Sequence, residues 1–201
     1  MNDRRCELAA PESREKEREA SMLSERLLES RTILLAEPIT KEVAERVTAK
    51  LLLLDQESDK ELINIYINSP GGDVDAGFAI FDMVRYISAP VRCISTGLTA
   101  SAAVVVLLAT PKKLRLSLPN SRFLMHQPSM GIHGSAADVR IEANEILKMR
   151  EKINKLIADE TGQPLDKVEK GTRRNYWMDA EEAKKYGLVS RIIKSKSEIA
   201  E

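Results

Sequence analysis

The eight-residue apolar run Ala102 to Ala109, entered through the small-residue turn Gly97-Leu98-Thr99-Ala100-Ser101, constrains this chain more than any other feature. A segment with no polar face has to be covered on all sides, and this one is far too short to cross a bilayer. It therefore predicts a helix sunk in a protein interior, with Ser101 at its first turn. A hydroxyl placed there sits near unpaired backbone N–H groups and the positive end of the helix dipole, both of which favour a developing oxyanion. Serine is also a preferred N-cap, so this position alone leaves capping and nucleophilic roles open. A second segment, Met125-His126-Gln127-Pro128, ends the apolar run Phe123-Leu124-Met125 and puts an imidazole where a strand gives way to a loop. Serine and base are then expected to meet at a strand-end crevice.

The rest of the body alternates between the two periodicities. Strand-like runs are Thr32 to Ala36, Leu62 to Ile67, Val91 to Thr96, Leu114 to Leu116, Arg122 to His126 and Leu188 to Ile193, most of them separated by helical spacing. That pattern predicts an α/β layered fold. Thr40 is placed to cap a helix carrying Val43, Val47, Leu51 and Leu54 on one face, and Val74 to Ile87 reads as a second helix. The longest helix is predicted from Ser135, where Ser135-Ala136-Ala137-Asp138 resembles a capping box, to about Glu160, before the stop signals Gly162 and Pro164. Its stripe of Val139, Ala143, Ile146, Met149, Ile153, Leu156 and Ile157 suits a core face or an interface equally. Trp177, the sole tryptophan, is assigned to the core, and His133 to an exposed position.

Charge decides little in favour of a polyanionic partner. The 201 residues contain 31 basic and 31 acidic side chains with no polybasic block, which argues against nucleic acid and against an anionic membrane surface. Residues 2 to 29 are dense in Arg, Lys and Glu without an apolar signal segment, and Arg14-Glu15-Lys16-Glu17-Arg18-Glu19 reads as mobile chain or marginal helix. Cys6 and Cys93 offer neither a disulfide framework nor metal-ligand spacing, and a reducing cytoplasm is the simplest home.

Four segments in one order resemble the proteolytic subunit of the Clp protease, the ClpP family: Ser69-Pro70-Gly71-Gly72, the Ala100-Ser101 elbow, His126-Gln127-Pro128, and Thr161-Gly162-Gln163 followed by Ala180-Glu181-Glu182-Ala183 and Tyr186-Gly187-Leu188. The resemblance covers roughly residues 24 to 194. It implies a fold of repeated ββα layers, ClpP/crotonase-like, with a protruding handle helix. It divides the chain into an N-terminal segment 1–22, a peptidase domain 23–194 and a tail 195–201. It makes Ser101 the nucleophile, His126 the general base, and the N–H groups of Gly72 and Ala102 the oxyanion hole of a serine endopeptidase. The family's aspartate that orients the histidine falls at Asn175, within Arg173-Arg174-Asn175-Tyr176-Trp177. Arg173 stands where the family often carries an acid that pairs across two rings, and Ala102 where it commonly carries Met. The implied partners are an AAA+ Clp ATPase unfoldase, unfolded polypeptide substrates, and copies or paralogues assembled as heptameric rings stacked into a tetradecamer; no metal or organic cofactor is implied. Tyr66 falls at a position lining the cleft that docks the ATPase loop, and Met130 to Gly134 on the strand that pairs with substrate. A weakly active or inactive structural subunit of a hetero-oligomeric core is the alternative that Asn175 raises. A crotonase-type thioester enzyme would need no Ser–His pair.

Overall fold

The computed structural model describes residues 22–129, 131 and 133–200. The expectations for the leader, Cys6 among them, fall outside those residues, as does part of Met130 to Gly134. Residues 22–29 form a helix, α1, that leads into β1 (Thr32–Leu35). Thr40 then starts α2 (Lys41–Glu57) by accepting from the Val43 N–H at 3.3 Å, and Val43, Val47, Leu51 and Leu54 are all buried, as their spacing predicts. The following elements are β2 (Ile63–Ser69), α3 (Val74–Tyr86), β3 (Val91–Ala100), α4 (Ala102–Leu108), β4 (Arg115–Ser117) and β5 (Arg122–Met125). The chain continues with α5 (Ala136–Thr161), α6 (Leu165–Thr172), β6 (Tyr176–Asp179), α7 (Ala180–Tyr186) and β7 (Arg191–Ile192).

Strands β1, β2, β3, β4 and β7 lie side by side in that order, all parallel. Strand β3 has two successive partners on its far edge. Its first half pairs with β4 through Cys93 to Ser95, and its second half, Leu98 to Ala100, pairs with β5 instead. The change falls at Gly97, whose φ is +75° and whose missing Cβ would lie 2.7 Å from Asn68 Oδ1; that oxygen accepts the Leu98 N–H at 2.9 Å. A side chain at this position would block the turn that sends β3 towards β5. β5 in turn pairs antiparallel with β6. The resulting α/β layering agrees with the sequence, but two strand readings change. β6 was not anticipated, and the run Leu188 to Ile193 contains only a two-residue strand, because Leu188 still donates to Ala183 O behind the left-handed Gly187 cap of α7.

Every residue of α4 is buried, as its composition requires. Its C-terminal end is held by two guanidinium groups. Arg115, fully buried, donates to Thr110 O at 2.7 Å and to Glu160 O at 3.0 Å and is ion-paired with the Glu160 carboxylate. Arg85 pairs with the same carboxylate and donates to Leu108 O and Ala109 O at 3.3 Å. Burial pushes the Arg115 pKa down while Glu160 pulls it back up, so the carboxylate keeps a charge tolerable in the interior.

The capping box of α5 forms as predicted, with Ser135 and Asp138 bonding reciprocally, and Gly162 ends the helix in the left-handed region. Only Ile153, Asn154, Ile157 and Thr161 of this helix are buried. Within the stripe Val139 is exposed and Ala143 and Ile146 are half-covered, whereas Met149 and Leu156 pack against the core that holds Ile153 and Ile157, so the apolar stripe belongs to the core only in its C-terminal half. Trp177 is not a core residue: at 42% exposure it stacks with the Arg122 guanidinium 4.4 Å from its ring, because alternation along β6 buries Met178 and turns Trp177 outward. No described helix is long and apolar enough to cross a membrane.

Candidate active site

Ser101 occupies the N-cap position of α4, yet its side chain makes no capping hydrogen bond. Its backbone lies at φ +54°, ψ −122°; Arg31 is the other described non-glycine residue with positive φ. Such a conformation costs on the order of 1–3 kcal/mol and persists only where surrounding bonds enforce it. Here the Ser101 N–H donates to Leu124 O at 2.9 Å and the Ser101 carbonyl accepts from Val104 at 2.9 Å, so the elbow is stitched to β5 on one side and α4 on the other. The hydroxyl is left half-exposed and uncommitted.

The Ser69-Pro70-Gly71-Gly72 turn packs directly against this elbow. A Cβ on Gly71 would stand 2.5 Å from Ala100 O and 2.7 Å from Ser101 Cβ, so only glycine admits the contact. Gly72 bridges Ile39 in parallel fashion, and the bonds of that bridge use its neighbours: Ile39 N–H donates to Gly71 O and Asp73 N–H to Ile39 O, both at 2.8 Å. The Gly72 N–H therefore stays unpaired, as does the Ala102 N–H at the first turn of α4, among the described residues.

His126 follows β5 immediately and is half-buried. It lines one narrow cleft with Ser101 and Ala102, walled by Val74, Ile153 and Ile157. The β5–β6 register ends at the pair Met125 and Tyr176, so His126 follows that pair on one strand and Asn175 precedes it on the other. Asn175 is exposed, and no hydrogen bond links Ser101, His126 and Asn175 to one another among the described residues. Catalytic contacts in an empty site are commonly long and tighten on substrate. The segment is nevertheless fixed at its base: the Gln127 N–H donates to Thr172 O at 2.7 Å and Gln127 Nε2 to Arg173 O at 3.3 Å.

The sequence singled out the candidate residues but not what supports them. The role of Gly71 and the apolar wall from α5 depend on contacts between segments far apart in the chain. The paired glycines after a strand were the one readable signal, since adjacent glycines there announce a close approach. His133 is exposed, as its isolation suggested. Tyr66 is half-buried and lines a separate cleft with Ile94, Leu118 and Ile193, partly covered by Ile199. Cys93 is fully buried, and burial pushes its thiol up to about 12, which removes it as a nucleophile.

The Clp protease family matches this chain over residues 14–196. The ATP-dependent Clp protease proteolytic subunit 3 of Rhizobium johnstonii is 51% identical over 173 residues, covering 86% of this chain and 89% of the relative. The ATP-dependent Clp protease proteolytic subunit 2 of Treponema denticola is 50% identical over 190 residues, covering 94% and 95%. Among solved structures, an asparagine-to-aspartate mutant of ClpP1 from Listeria monocytogenes superposes with a TM-score of 0.82 at 42% identity, covering 88% of this chain and 99% of the other.

Proposed function

Because the chain belongs to the Clp protease family, we propose that it is an ATP-dependent Clp protease proteolytic subunit, a serine endopeptidase in which Ser101 is the nucleophile, His126 the general base and Asn175 the residue that orients the imidazole. The observation that carries this reading is the free hydroxyl of Ser101, held at positive φ and facing the same cleft as His126. His126 takes the Ser101 proton as the hydroxyl oxygen attacks a peptide carbonyl. The tetrahedral oxyanion is met by the Gly72 and Ala102 N–H groups. His126 then protonates the leaving amine, and water repeats the cycle on the acyl-enzyme. Asn175, presenting its amide oxygen to the imidazole Nδ1–H, fixes the reactive tautomer without supplying a carboxylate's charge.

The substrates are unfolded chains and short peptides, delivered by an AAA+ unfoldase to sites enclosed by heptameric rings stacked as a tetradecamer in the cytoplasm. The free N-terminal half of the α5 stripe supports such an assembly. Residues 1–22 lie outside the peptidase domain of 23–194, with 195–201 as its tail. Arg173, exposed where relatives often carry an acid, favours pairing with a paralogous ring over self-stacking. The test is peptidase turnover by isolated particles: Ser101→Ala and His126→Ala each remove nearly all of it, and full activity in either variant refutes the assignment.

A further inference from the structure

Behind the catalytic cleft lies a second cavity of ≈ 200 Å³ lined by six polar residues, Gln127, Arg150, Asn154, Glu169, Thr172 and Arg173. Its donors come from three elements. Arg150 and Asn154 project from α5, Arg173 from the turn after α6, and Gln127 from the strand end that begins with His126. Asn154 is 3% exposed, and its Oδ1 accepts from Thr172 Oγ1 at 2.8 Å. Its Nδ2 donates to no group among the described residues, although it belongs to a buried side chain that lines the cavity. An acceptor that enters the cavity supplies that donor with a partner. Neither Arg150 nor Arg173 is in an ion pair among the described residues, and Glu169, on the exposed rim, is the sole acid in the lining. Two guanidinium groups and an amide N–H that opens onto the cavity, set against one carboxylate, select a negatively charged acceptor, and bidentate guanidinium geometry suits carboxylate and phosphate oxygens.

The cavity and the cleft share walls. Ile153 and Ile157 of α5 face the cleft, while Arg150 and Asn154 face the cavity, and the partition between them is His126 on one side and Gln127 on the other. We propose that this cavity binds an oxyanion, a carboxylate or phosphate group, and that the occupant holds the His126–Gln127 segment in its working position. The site exists independently of the reading of Ser101, and its binding is measurable without turnover. The natural anion is either free in solution or an acidic side chain of a second copy of this chain.

The test titrates inorganic phosphate at constant ionic strength into the full chain, reading Tm, peptidase kcat and sedimentation. The wild type is expected to show a saturable Tm rise of roughly 5–10 °C at a hundredfold excess over Kd, with a saturable rise in kcat. Both are lost in Arg150→Gln, a half-exposed site that tolerates the change, and in the isosteric Asn154→Asp. Unchanged particle mass on saturation identifies a free anion as occupant, and a fall in mass, reproduced by Arg150→Gln without phosphate, identifies a neighbouring copy's carboxylate. A non-saturable Tm response, or the same saturable response in both variants, overturns the site. A saturable Tm rise with flat kcat overturns its link to His126.

Discussion

The hydroxyl of Ser101 is available because the backbone, not the side chain, satisfies the elbow: Leu124 O and the Val104 N–H hold the turn, and the oxygen is left for chemistry. Capping and nucleophilic roles, inseparable in the sequence, separate at this atom. In the proposed mechanism Asn175 orients the imidazole. An aspartate-to-asparagine change costs about 10⁴ in turnover where it leaves the wrong tautomer, and much less where the amide oxygen faces the ring. Asn175→Asp is therefore expected to raise kcat roughly ten- to a thousandfold at matched oligomeric state; an unchanged or lower rate would assign the orienting role to another group. Cys93 carries a pH signature. Burial raises its thiol to about 12, against about 8.5 when unfolded. The native state thus holds the proton more tightly, so the stability this thiol contributes is complete below about pH 8.5 and declines towards pH 12 by up to about 1.4 kcal/mol per pH unit. Urea unfolding of wild type and Cys93→Ala between pH 8.5 and 11 should show their stability difference changing along that slope, in favour of the alanine variant as pH rises. A pH-independent difference contradicts it.

Helix α4 presents Ser101 at one end and is clamped by Arg85 and Arg115 at the other, with Glu160 of α5 between the two guanidinium groups. Glu160→Gln leaves the wholly buried Arg115 charge uncompensated, and a loss of about 3–5 kcal/mol is expected in chemical unfolding; a loss below about 1 kcal/mol would show that the carbonyl acceptors suffice. In α5 the stripe divides. Ile153 and Ile157 are core, whereas Ile146 is half-covered and its neighbours Ile141 and Leu147 are exposed. Ile146→Asp should accordingly leave the subunit folded by circular dichroism and shift its sedimentation to smaller particles; intact assembly would remove the interface role. The helices were legible because each carries its own start, stop and period: Thr40 for α2, and the Ser135–Asp138 box and Gly162 for α5. Strand β6 was not, since Tyr176 to Asp179 gains its conformation from pairing with β5, more than fifty residues earlier. The misplacement of Trp177 has the same root. Its type suggests burial, but the β5–β6 register decides its face.

At the scale of the whole molecule, the site is a meeting of distant segments: Gly71 and Gly72 after β2, Ser101 after β3, His126 after β5, and Asn175 before β6. Their order was readable as motifs, and their juxtaposition follows from parallel strands that end together on one side of a sheet. The apolar wall from α5 was not readable, because it depends on what that segment finds opposite it. The same logic extends to assembly, where the uncovered half of α5 and the exposed Arg173 await partners of complementary shape and charge. The central claim, that this arrangement makes Ser101 a peptidase nucleophile, is tested most directly by treating assembled particles with a serine-directed fluorophosphonate and mapping the adduct by mass spectrometry. The account predicts a single adduct on Ser101, formed in step with loss of peptidase activity, absent in Ser101→Ala and strongly slowed in His126→Ala. An adduct on a different serine, or inactivation that persists in Ser101→Ala, would contradict it.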